Sequence, residues 1–192
     1  MKKIAIFASG AGTNADKIIE YFRYSHLLTI DLIVTNKPDA GVLNVASYNH
    51  LPTLLLEKEK FFDGNGYVDE LKAASIDFIV LTGFLWKIPV SLIRAYPDKI
   101  VNIHPALLPK YGGKGFYGLY VHEAVLANKE EETGITIHYV DEIYDNGKII
   151  FSALCPILEN DTPESLAKRV QKLEHTQYPR VIEKLITGME TL

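Results

Sequence analysis

Strand-like and helix-like segments alternate through the first hundred residues, and that alternation limits the fold more than any other feature. Apolar runs rich in β-branched residues at 4–8, 30–35, 53–56, 78–82 and 100–104 read as strands. Segments at 13–24, 41–49, 67–74 and 89–95 lie between them and read as helices. Such a series folds through right-handed crossovers into a mostly parallel sheet. After residue 134 the rhythm changes. Residues 135–140 alternate with period two, 141–147 form a polar turn, and 148–158 are apolar again. This predicts an antiparallel pair added to the parallel sheet. Asp161-Thr162-Pro163 opens a last helix, with Thr162 as cap and Pro163 at the first helical position. That helix is expected to run toward His175 and to break or kink at Pro179. The expected class is α/β: a mostly parallel, twisted, Rossmann-like sheet with helices on both faces and an antiparallel addition near the C-terminus.

The chain's 192 residues suit one domain, 1–192, with enough core to fold unaided. A formal charge of −4 argues against a general nucleic-acid or anionic-membrane binder. The single cysteine, Cys155, allows no internal disulfide and suits a reducing, cytoplasmic setting. It lies in an apolar run and reads as a packing residue. The first ten residues imitate a signal peptide, but their apolar stretch is short and a glycine turn follows at once, so they read as a first strand. No stretch is long and apolar enough to span a membrane.

Two motifs carry chemistry. The first strand ends in Ser9-Gly10-Ala11-Gly12-Thr13-Asn14-Ala15. Gly10, Gly12 and Ala15 satisfy the loose dinucleotide fingerprint, yet the second strand ends in Thr35-Asn36-Lys37, without the acid a ribose would need. What remains is a glycine turn at a helix N-terminus, which offers free amides to one phosphate; a plain helix cap is the alternative use. The second motif is Asn102-Ile-His104-Pro. Residues two apart on a strand share a face, so an amide and an imidazole stand together where the strand opens into a loop. That pairing can stabilise an oxyanion and move a proton. A histidine capping its own strand end is the bland alternative.

With both motifs read, the chain resembles the phosphoribosylglycinamide formyltransferases, folate-dependent enzymes of purine synthesis. The resemblance rests on Ser-Gly-x-Gly-Thr-Asn, on Asn102-Ile-His-Pro-Ala-Leu-Leu-Pro109-Lys-Tyr and on Gly134-Ile-Thr-Ile-His138-Tyr-Val. Tyr144-Asp145-Asn-Gly147, Gln171-Lys-Leu-Glu174-His175 and Tyr178-Pro179 complete it. It runs in order over essentially the whole chain. It implies a formyltransferase-type sheet and 10-formyltetrahydrofolate as formyl-donor cosubstrate. In such enzymes the glycinamide amine attacks the formyl carbon and a tetrahedral oxyanion collapses, expelling the folate nitrogen. Asn102 then donates to the oxyanion and protonated His104 serves the leaving nitrogen. Asp145 pairs with His104 and favours its charged form. The residues alone leave Asp141 and Glu142 open as that carboxylate; the resemblance selects Asp145.

The same resemblance assigns Gly12, Thr13 and Asn14 to the nucleotide phosphate, and Gln171, Lys172 and Glu174 to the rest of the nucleotide. Leu85, Trp86, Lys87 and Ile88 are assigned to the pterin pocket, although Phe84-Leu85-Trp86 could equally be core. Asp141, Glu142, Ile143, Tyr144 and Asp145 match the loop that closes over the pterin. Trp86 stands where the family often has arginine, Ala106 where it often has serine, and no arginine occurs around Gly64 and Asn65. The glycine-rich loop 111–118 reads as a rim of the site, with Lys114 a candidate for the glutamate tail of folate. The six histidines lack the short spacings of zinc sites, so no metal is expected.

Among relatives of this fold, a deformylase is expected to carry an N-terminal regulatory domain and a methionyl-tRNA formyltransferase a C-terminal tRNA-binding domain. A sugar-nucleotide formyltransferase lacks this phosphate turn. The alternatives kept are a 10-formyltetrahydrofolate deformylase and a catalytically inert phosphate- or nucleotide-binding module. Small molecules are the expected partners, without nucleic acid or membrane, for a monomer or homodimer.

Overall fold

The computed structural model describes residues 1–188. Its strands are β1 (Lys2–Phe7), β2 (Leu28–Thr35), β3 (Thr53–Leu55), β4 (Phe78–Leu81), β5 (Ile100–His104), β6 (Glu132–Tyr139) and β7 (Ile149–Pro156). The helices are α1 (Thr13–Phe22), α2 (Val42–Tyr48), α3 (Lys58–Asp63), α4 (Val68–Ala73), α5 (Val90–Ala95), α6 (Leu119–Ala127) and α7 (Pro163–Thr187). One seven-stranded sheet runs in the order β3-β2-β1-β4-β5-β6-β7. The β1 to β5 pairings are parallel, while β5–β6 and β6–β7 are antiparallel. The expected class and the C-terminal antiparallel addition both hold.

Strand alternation sends the core to both faces. In β1, Ile4 and Ile6 join one apolar cluster with residues of α1, α2, α6 and α7. Ala5 and Phe7 join the other, with residues of α3, α4 and α5. Burying β1 on both faces explains why it reads as a continuous apolar run. Cys155 is buried in the first cluster.

Two local expectations need correction. Pro179 does not end the last helix, because α7 continues through it to Thr187. Proline there removes one helical hydrogen bond, but Tyr178, Val181 and Ile182 are fully or nearly fully buried around it, and their packing carries the helix onward. Thr162 caps α7 as expected, accepting from the Ser165 amide, while the Ser165 hydroxyl accepts from the Thr162 amide. The helix α3 had no counterpart in the sequence reading. Its six residues show little apolar periodicity, and Phe61 anchors it by full burial.

Sheet order fixes where ligands bind. From β1 the chain builds outward to β2 and β3, then returns to the other side of β1 with β4 and β5. The strands therefore reverse order between β1 and β4, and open α/β sheets bind ligands at the carboxyl ends beside such a point.

Candidate active site

A cavity of about 770 Å³ opens at those carboxyl ends. Its floor is the turn after β1, the segment after β4 and the end of β5. Loop residues 113–118, the 140–145 segment and α7 complete its walls.

One end is the glycine turn. Gly12 has φ +80°, and a Cβ there would meet Val42 Cα at 2.7 Å, so both conformation and space call for glycine. No side chain caps α1, which leaves its first amides available to an anion. Two contacts tie this turn to α7 across about 160 residues of sequence. Gln171 Nε2 donates to Thr13 Oγ1 at 3.0 Å, and Asn14 Nδ2 donates to Glu174 Oε2 at 2.8 Å. Burial pushes the Glu174 carboxyl up to about 7, although the Asn14 amide pulls the other way. Ser9 joins this end to the segment after β4. Its hydroxyl donates to Asn36 Oδ1 at 2.6 Å and accepts from the Leu85 amide at 2.9 Å.

The middle is apolar. Leu85, Trp86, Lys87 and Ile88 all line the cavity. Trp86 also stacks on Phe61 and Phe62 of α3, with ring centroids 5.6 and 5.4 Å away, so the wall and the core share it. Gly64 and Asn65 do not line the cavity.

The other end collects polar groups from three elements. Asn102 and His104 project from β5, and their antiparallel partners on β6 are His138 and Thr136. Directly opposed residues share a face, so His138 enters the site. Its Nδ1 lies 2.8 Å from the Tyr139 carbonyl, which can only accept, so Nδ1 carries the proton. Its Nε2 lies 3.2 Å from the Asn102 amide nitrogen and 3.6 Å from Asp145 Oδ1. The same amide lies 3.4 Å from Asp145 Oδ1. Asp145 holds φ +52° in the turn after β6, and its Oδ2 accepts from the Gly113 amide at 2.9 Å. Thr136 secures the chain leaving β5: its hydroxyl donates to the Ala106 carbonyl and accepts from the Leu108 amide.

His104 is buried, with Nε2 at 2.7 Å from the Tyr111 carbonyl and Nδ1 at 3.6 Å from Asp145 Oδ2. The expected upward pull of Asp145 is present but does not prevail. Burial pushes the imidazole below the ordinary histidine value, outweighing the Asp145 charge and the Tyr111 carbonyl, and His138 adds to the fall. Burial also acts to raise Asp145, but the His138 and His104 rings and the Gly113 amide hold it below the usual carboxylate range. His122 also borders the cavity; burial and the nearby His104 take it to about 4.

The structure brings most sequence-selected residues to this cavity: Gly12, Thr13, Asn14, Leu85 to Ile88, Asn102, His104, Gln171 and Glu174 line it, as do Asp141, Ile143, Tyr144 and Asp145. Lys172 and Glu142 do not. Lys172 stands one residue past Gln171, about 100° around the helix, and is exposed. Glu142 turns outward to Arg94 at 3.7 Å. Sequence reasoning gave neither His138 nor His122 a role in the site. The signal for His138 was available: Thr136 and His138 are two apart on the strand that follows, and so share a face as Asn102 and His104 do.

An amide donor, an imidazole and a carboxylate stand at one end of a cleft whose other end is an anion-ready helix N-terminus, an arrangement suited to stabilising an oxyanion beside a bound anion. The sequence pattern of the formyl transferase family matches residues 2–182, and the chain belongs to that family. It is 44% identical over 187 residues to the chloroplastic phosphoribosylglycinamide formyltransferase of Arabidopsis thaliana, covering 94% of this chain and 64% of that protein. The chain thus spans less than two thirds of that plant relative. To the Bacillus subtilis phosphoribosylglycinamide formyltransferase it is 36% identical, covering 97% of this chain and 95% of the relative. The crystal structure of phosphoribosylglycinamide formyltransferase from Bacillus halodurans superposes with a TM-score of 0.88 at 38% identity, over 100% of this chain and 98% of that one.

Proposed function

We propose that this chain transfers the formyl group of 10-formyltetrahydrofolate to the amine of 5-phosphoribosylglycinamide, a step of purine synthesis. The observation that carries the reading is one cavity joining the Gly12–Asn14 turn to Asn102, His104 and Asp145. The turn amides, Thr13 and Asn14 bind the phosphate, while Gln171 and Glu174 hold the remainder of the nucleotide. The 85–88 segment and the 141–145 loop receive the pterin, and Lys114, at the rim, faces the glutamate tail.

In the reaction the amine nitrogen forms a bond to the formyl carbon, and the carbonyl oxygen becomes an oxyanion that accepts from Asn102 Nδ2. Neutral His104 takes the proton released by the attacking nitrogen. The imidazolium, now facing ionised Asp145, passes that proton to the folate nitrogen as the old carbon–nitrogen bond breaks. A histidine kept neutral at rest suits this two-way transfer better than one protonated from the start.

The family likeness supports formyl-folate as cosubstrate, and no metal takes part in this scheme. The reading treats 1–192 as one domain, of which 189–192 lie outside the described residues, working as monomer or homodimer in the cytoplasm on small molecules. The transferase names of the relatives weigh against the hydrolytic deformylase alternative. Folate absorbance followed with and without 5-phosphoribosylglycinamide tests the proposal. Turnover that requires the nucleotide supports transfer, whereas turnover that ignores it makes the chain a deformylase. No turnover in either case leaves a binding module.

A further inference from the structure

We propose that Tyr111 is a positioning residue for His104: its main-chain carbonyl holds the ring proton on Nε2, so that the proton exchanged in the reaction enters and leaves at Nδ1, facing Asp145, and Glu130 anchors Tyr111 for this task. A carbonyl oxygen only accepts, so the 2.7 Å contact requires the hydrogen on Nε2. The neutral ring is then bare at Nδ1, the nitrogen 3.6 Å from Asp145 Oδ2. The proton gained during transfer enters on that side and is lost from it.

The carbonyl is held where it is by groups outside the cavity. Tyr111 has φ +56°, a conformation uncommon for a bulky side chain. Its hydroxyl donates to Glu130 Oε1 at 2.8 Å, and Lys110 Nζ donates to both oxygens of Glu130 at 3.0 and 3.1 Å. Glu130 lies in the connection from α6 to β6, so a contact at the rim is transmitted to a buried imidazole. The other groups facing His104 are Asp145, His138 and His122. Asp145 faces Nδ1, and the His138 ring is engaged with the Tyr139 carbonyl, the Asn102 amide and Asp145.

Nitrogen–proton correlation spectra of the imidazole rings in the intact, ligand-free protein read the tautomer directly. With His104 assigned by its loss in His104→Gln, the expected result is a neutral ring protonated at Nε2. A ring protonated at Nδ1 overturns the proposal. Glu130→Ala and Tyr111→Phe should show mixed tautomers and a kcat for formyl transfer lower by roughly ten-fold, with KM for both substrates within about two-fold. The acid limb of kcat should move to lower pH, since a loosened carbonyl supports the charged ring less. Variants that keep the wild-type tautomer and pH profile and lose only thermal stability also overturn it. The kinetic arm rests on the formyl-transfer reading, whereas the spectra need no substrate, so the two can fail separately.

Discussion

The two ends of the cavity are built by opposite means. The end proposed to take the phosphate is short-range at its centre: a glycine turn between one strand and one helix, locked by Val42 behind it and by two side-chain bonds from α7. The end proposed for the reaction is assembled from afar. Asn102 and His104 come from β5, His138 from an antiparallel neighbour, and Asp145 and the Tyr111 carbonyl from loops in left-handed conformations. A binding end can rely on backbone amides, which any sequence supplies once the turn is made. A reaction end needs particular side chains at particular angles, and therefore needs several elements to agree. Damage at the first should appear in affinity, and damage at the second in rate.

The largest expected effect breaks the reaction end alone. His104→Ala should lower kcat by about 10²–10⁴-fold while leaving nucleotide and folate affinities nearly intact, as single-turnover rates and ligand titrations will show. Gly12→Ala makes the opposite cut. The new Cβ meets Val42 at 2.7 Å in a conformation alanine resists, so KM for the nucleotide should rise roughly ten-fold or more, and stability should fall by about 1–3 kcal/mol. If instead Gly12→Ala lowers kcat with KM unchanged, the two ends are not separable.

A smaller effect follows from Glu174. Its carboxyl is raised by burial to about 7, so the fold favours the neutral form. That contribution is fully present below the ordinary carboxylate range and is lost as pH rises through about 7. Glu174→Gln should therefore melt a few degrees above the wild type at roughly pH 8 and converge on it in acid. A gap of the same size at all pH values would deny the buried carboxyl its titration. The smallest effect belongs to residues that the sequence pattern selected and the structure turns outward. Lys172→Ala and Glu142→Gln should change stability by less than about 0.5 kcal/mol and leave both KM values unaltered.

The parallel half of the fold was legible because each strand there is bounded by its own local pattern. The glycine turn and the Asn102–His104 pair were legible for the same reason, each being a motif of adjacent residues. What escaped depended on distant partners. Nothing local to Lys58–Asp63 marks a helix, and its place comes from Phe61 entering a core that other elements make. Pro179 reads as a breaker until the buried residues around it are known. His138 entered the site through strand pairing, and the upward pull of Asp145 on His104 was legible while the opposing burial was not, because sequence names a carboxylate neighbour but not the depth of burial. Lys172 and Glu142 show the converse: a match in sequence position does not fix which way a side chain faces.

The fate of the formyl carbon tests the whole account most directly. With 10-formyltetrahydrofolate labelled at that carbon and 5-phosphoribosylglycinamide present, the account predicts that the label appears in the formylated nucleotide, one per folate released. Label recovered as formate, at a rate indifferent to the nucleotide, would contradict it.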